Sequence, residues 1–119
     1  MRTIKFRYWE KPDTSVNFQG AMHYNCDEYF NKWCGSADYE TMQFTGLLDR
    51  LGKEIWEGDI VKLKMFNEFN SNEIRIGECF WNEKTAQWTF KFESSWEYPA
   101  CDWVEIIGNI YQNPNLLTK

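Results

Sequence analysis

"FTGLLDRLGKEIWEGDIV", residues 44–61, is the stretch on which the fold turns. It holds Gly46, Gly52 and Gly58 and changes pattern sharply at its end. Two readings compete: a phosphate-binding loop, or a turn-rich approach to a β-sheet. A Walker-type loop needs GxxxxGK[ST] between a strand and a helix. Here five residues separate Gly46 from Gly52, and Glu54 follows Lys53 where a hydroxyl would hold magnesium. The segment that follows, "IVKLKMF", is strand-like and not helical. The turn reading explains more. Gly52 and Gly58 allow turn conformations closed to other residues, Gly46 interrupts a short strand "TMQFTG", Asp49 is a turn residue, and the Asp59 carboxylate accepts backbone N–H bonds in its turn. Ile55 and Ile60 then drop into a core on either side.

Working outward, period-two patterning dominates. "IVKLKMF" puts Val61, Leu63 and Met65 on one face and Lys62 and Lys64 on the other. After the polar loop "NEFNSN", "EIRIGECFW" carries Ile74, Ile76 and Phe80 on one face, with Glu78 between them. "AQWTFKF" sets Trp88, Phe90 and Phe92 against Thr89 and Lys91. "ESSWEYPACD" reads as a loop, and "WVEIIGNIY" as the last strand, with Gly108 a bulge or close-approach point. On the N-terminal side, "RTIKFRYW" alternates Ile4, Phe6 and Tyr8 with Lys5 and Arg7, and "VNFQGAMHY" reads as a second strand bulged at Gly20. Residues 25–41 read either as a short helix capped by Asn25 and ended by Gly35, or as an irregular loop.

The fold class expected is therefore mainly β, with α+β as the fallback. A small bent sheet or SH3-like barrel fills the C-terminal two-thirds, preceded by an N-terminal strand pair and the candidate helix. The 119 residues fit one domain, with sub-regions at 1–45 and 46–119. Seven Trp, six Tyr and nine Phe are enough to build a tight core from few residues, or to line a binding surface.

The net charge of −5 argues against a general nucleic-acid binder, which wants a basic patch. There is no signal-peptide pattern and no window near the ~20 apolar residues of a membrane span. The expectation is a soluble, cytoplasmic protein with no membrane partner, whose Cys26, Cys34, Cys79 and Cys101 are reduced thiols.

Candidate chemistry is thin. His23, Cys26 and Cys34, with Cys79 or Cys101, lack the tight paired spacing of structural zinc. His23 and Cys26 are three residues apart, a poor geometry for a nucleophile and its base on a strand. Asp49, Glu54, Glu57, Asp59, Glu97, Asp102 and Glu105 fall at turns and strand ends and read as a solvated acidic rim. No catalytic, metal-binding or cofactor-binding residue is assigned; a small hydrolase or metal enzyme is the least favoured class.

Three blocks carry a family resemblance: "IKFRYWEK" at residues 4–11, "MQFTGLLDRLGKEIWEGDIVKLK" at 42–64, and "VEIIGNIYQNPNLL" at 104–117. Together they resemble the YopX family, small proteins of phages and prophages. The turn residues Gly46, Asp49, Gly52, Gly58, Asp59, Gly108, Asn109, Asn113 and Pro114 lie in these blocks. Phe44 and Trp56 replace tyrosines of the family pattern, and Leu51 replaces a polar residue, which implies that its turn packs on something. The resemblance implies a mainly-β, phage-type protein; it brings no catalytic residues.

The functional reading that remains is binding. "FESSWEYPACDW" sets Trp96, Tyr98 and Trp103 beside Glu97 and Asp102, the composition of an interface loop. The competing reading is that these rings plug the end of a barrel. The expected partner is a host or phage protein, with homo-oligomerisation alongside. The alternative is a single-stranded nucleic-acid accessory protein, using Lys62, Lys64, Arg75 and Lys91 as one basic stripe on outward strand faces.

Overall fold

The structure is a computed structural model that describes residues 3–24, 27–65, 73–93 and 96–117. The chain forms two compact units, residues 1–44 and 45–119.

In the first unit, β1 (Phe6–Glu10) is the central strand. It pairs antiparallel with β2 (Ala21–Tyr24) on one side and with β3 (Tyr39–Leu48) on the other. Strand β2 is shorter than the alternation predicts. Residues 14–16 form a 3-10 turn, and Gly20 takes φ +97° while the Trp9 ring lies against it. The candidate helix is real but brief: a 3-10 turn at Asp27–Tyr29 leads into α1 (Phe30–Trp33). The proposed cap Asn25 lies outside the described residues. The β1 alternation is corrected as well. Arg7, Tyr8 and Trp9 are all buried and Ile4 is exposed: the Tyr24 ring lies by Arg7, the Trp33 ring against Tyr8, and Gly20 against Trp9. Arg7 donates from Nη1 to the Tyr24 hydroxyl at 3.3 Å.

In the second unit, Gly46 does not end β3. The strand continues to Leu48 with Gly46 at φ +87°. The chain then turns through residues 49–53 into β4 (Glu54–Trp56), which pairs with β3. After a two-residue turn, β5 (Asp59–Met65), β6 (Glu73–Asn82), β7 (Gln87–Phe92), β8 (Glu97–Pro99) and β9 (Val104–Asn109) form a curled sheet. Its order is β8-β7-β6-β5-β9, so the last strand lies beside the first. Pairing of β9 with β5 slips between Ile60 and Val61, opposite Gly108 and Ile106; the bulge expected at Gly108 is there. Strand β8, only three residues ending at Pro99, lies inside the segment read as a loop.

The core of this sheet is Ile55, Val61, Leu63, Cys79, Phe90, Phe92 and Val104. Val61, Leu63, Phe90 and Phe92 are as the alternation predicts. Strand β6 is the exception. Register pairs Cys79 with Phe90 and Gly77 with both Val61 and Phe92, so Gly77 and Cys79 face the core. Ile74, Ile76 and Phe80 lie on the opposite face, where Ile74 is exposed. That face is not bare either, since Ile60 and Thr89 on it are buried.

Candidate binding surface

The turn residues form three backbone clamps. In the first, Asp49 is only 4% exposed, and its Oδ1 accepts the N–H groups of Leu51 (2.9 Å) and Lys53 (2.8 Å). Its Oδ2 accepts the Ile106 N–H at 3.0 Å. Burial would raise this carboxyl, but the three N–H bonds and the Lys53 charge outweigh it and hold Asp49 below its ordinary range. In the second, Asp59 Oδ2 accepts the Trp56 N–H at 2.7 Å, and Gly58, at φ +86°, donates to the Cys79 carbonyl and accepts from Ile110. In the third, Asn109 Oδ1 accepts from Tyr111 and Gln112, and its Nδ2 donates to Gln112 Oε1 at 2.7 Å. Asn113 Oδ1 accepts from the Asn109 N–H at 3.3 Å, and Pro114 opens a 3-10 turn. Gly108 is glycine because Asn113 lies against it: a Cβ there would meet Asn113 Oδ1 at 2.6 Å.

One sequence expectation fails here. Asp49 and Asp59 are not part of a solvated rim, because their carboxylates are spent on backbone donors. The turn that carries Leu51 does pack, on β9, through the Asp49 carboxylate and the Arg50 N–H, while the Leu51 side chain is 58% exposed.

The aromatic segment divides in two. Trp96 lies against Phe92 (5.2 Å between centroids) and Tyr98 (5.8 Å), along the edge strand β8. Glu97 between them accepts from Asn82 Nδ2 at 3.1 Å. Trp103 and Asp102 instead line a cleft of about 480 Å³ with Arg50 and Lys64. Arg50 has no sequence signal that ties it to this place; it arrives because its N–H donates to the Val104 carbonyl at 2.9 Å.

The basic stripe does not assemble. Lys62 and Lys64 pair across the sheet with Ile76 and Ile74, whereas Arg75 pairs with Leu63 and so projects from the other face. The cations also have acidic neighbours. Lys62 lies 3.4 Å from Glu105, Arg75 pairs with Glu73, and Lys91 faces Glu78 and Glu97 across its two neighbouring strands. Burial raises the Glu78 carboxyl, and Lys91 partly offsets the effect.

In the first unit, Trp33 is stacked between Tyr29 (4.7 Å, 12°) and Tyr39 (4.5 Å, 9°). His23 approaches the Trp33 ring at 5.1 Å and holds Glu10 Oε1 at 2.9 Å. Among the described residues no three His, Cys, Asp or Glu side chains cluster as metal ligands; Cys26 lies outside them. Cys34 is an exposed thiol and Cys79 a buried one.

The three clamps join the second and third of the quoted blocks. A family model described as YopX protein matches residues 5–118. The chain belongs to the YopX family. Among solved structures, this YopX chain is similar to protein EF1440 from Enterococcus faecalis, with a TM-score of 0.59 and 24% identity over 98% of this chain and 99% of that one. At that identity the likeness speaks for the fold. No curated protein matches. The second and third of the quoted blocks hold the turn and clamp residues, whereas Trp96 lies outside these blocks and Trp103 shares its cleft with Arg50 of the first clamp's turn. No helix among the described residues is long and apolar enough to cross a membrane.

Proposed function

We propose that this YopX protein is a non-enzymatic protein-binding module, acting on a phage or bacterial host protein in the cytoplasm. The observation that supports it is the exposure of three large aromatics within eight residues: Trp96 at 37%, Tyr98 at 42% and Trp103 at 77%. Large rings left in water are the usual anchors of protein interfaces. Trp96 precedes β8 and Tyr98 lies within it, and this strand ends its sheet and offers an extended segment a strand to pair with. The same edge serves self-association between copies of the chain.

The test uses the tagged full chain as bait in bacterial lysate, with and without nuclease, beside the Trp96→Ala/Tyr98→Ala variant. A captured protein that survives nuclease and is lost with the variant, at an unchanged thermal midpoint, supports the reading. Capture that vanishes with nuclease, or that the variant leaves intact, overturns it.

A further inference from the structure

The cleft around Trp103 joins residues from three separate segments. Arg50 comes from the turn after β3, Lys64 from β5, and Asp102 and Trp103 from the approach to β9. Backbone bonds fix their placement. Arg50 donates to Val104, Leu63 and Val104 are paired across β5 and β9, and Asp49 holds the Ile106 N–H. The side chains therefore project from a braced frame, and the indole is 77% exposed upon it.

The chemistry of the cleft is specific. A flat apolar ring stands beside a guanidinium and an ammonium, with one carboxylate on the rim, leaving a net charge of +1 from two cations and one acid. Among the described residues no acid forms an ion pair with the Arg50 side chain. A polyanion would find one matched site and then acidic ground, because Lys62, Arg75 and Lys91 each face a carboxylate. A single carboxylate next to an apolar group matches the cleft: the acid on the Arg50 guanidinium, the apolar group on the indole.

We infer that the Trp103 cleft recognises a protein segment in which an acidic residue adjoins an aromatic or aliphatic one. This deepens the protein-binding reading and rests on it. Arg50 and Trp103 are the residues that set specificity, and charge complementarity selects the partner in an otherwise acidic protein.

The experiment is an NMR titration of the full chain, following the Trp103 indole N–H, assigned by its loss in Trp103→Phe. The probes are acetyl-Glu-Phe-amide, acetyl-Gln-Phe-amide, acetyl-Lys-Phe-amide and a short oligothymidylate. The Glu peptide is expected to move the signal saturably, and the Gln peptide to bind about tenfold more weakly. Arg50→Gln, an exposed change, is expected to erase that preference at an unchanged thermal midpoint. Equal binding of the Glu, Gln and Lys peptides, tighter binding of the oligothymidylate, or a Trp103 signal that none of them moves overturns the inference. If it falls while the Trp96→Ala/Tyr98→Ala variant still loses its captured protein, the protein-binding reading stands without this cleft. If capture itself proves nuclease-sensitive, the broader reading falls.

Discussion

Asp49 and Ile106 lie 57 positions apart in the chain, and the carboxylate of one receives the backbone N–H of the other at 3.0 Å. One buried acid thus closes its own turn and anchors the final strand of the neighbouring sheet. Asp49→Asn keeps the shape but presents an amide donor to backbone donors. The expected loss is about 2–3 kcal/mol at neutral pH, read as a lower urea midpoint at unchanged m-value. A loss below about 0.5 kcal/mol would mean that the clamp is ornamental.

The same residue sets a pH dependence. Its native carboxyl lies below the ordinary value of 3.8, so as pH falls the unfolded chain takes up its proton first. Stability from Asp49 is therefore complete above that value and lost as pH falls through the native one. Glu78 works in the opposite sense: its raised native value makes mild acidification slightly favourable. Urea midpoints measured from pH 7 downward should hold or rise slightly before falling, and the late fall should be shallower in Asp49→Asn.

Gly108→Ala forces a methyl against Asn113 and is expected to cost about 1–3 kcal/mol. Trimming Asn113 to Ala should remove the clashes with Oδ1 and Cγ and leave only the Cβ contact at 2.9 Å. The double variant should then be more stable than the sum of the two singles predicts, by about 1 kcal/mol. Simple additivity would show that the close approach has no energetic weight.

The aromatic residues should separate by burial. Phe90→Ala, at a position with no exposure, should cost about 3–5 kcal/mol. Trp96→Ala, more than a third exposed, should cost under about 1.5 kcal/mol. Comparable losses in thermal denaturation would make Trp96 a core residue and remove it from the proposed docking edge.

In the first unit, Trp33→Leu removes the ring on which both Tyr29 and Tyr39 stack. A destabilisation of about 1–3 kcal/mol is expected, from two aromatic pairs. Near-UV circular dichroism should weaken in parallel; an unchanged spectrum and midpoint would show that the stack does not order the unit.

Much of this fold was legible because strands such as β7 have one clearly apolar face. Strand β6 was misread for a physical reason. Its core face carries Gly77 and Cys79, so the bulkier Ile74, Ile76 and Phe80 outweigh it in any count of hydrophobicity. Arg7 was misread because the Tyr24 ring and hydroxyl cover it on a face that alternation assigns to solvent. Gly46 looked like a stop because a glycine inside a strand and a glycine ending one are the same letter. The exposed aromatic residues were visible as composition, but their partition was not. Trp103 joins Arg50 and Lys64 through pairings between distant segments, which no local pattern encodes.

The placement of β9 beside β5 has a consequence for biosynthesis. The first strand of the curled sheet acquires its outer neighbour only when the last has been translated. Until then the nascent chain carries β5 with an open hydrogen-bonding edge and with Val61 and Leu63 short of their Val104 neighbour. Such intermediates are prone to aggregation and proteolysis. A premature stop before Val104 would therefore leave the ribosome's product a substrate for chaperones and proteases, with the later-made residues acting as the latch on the earlier ones.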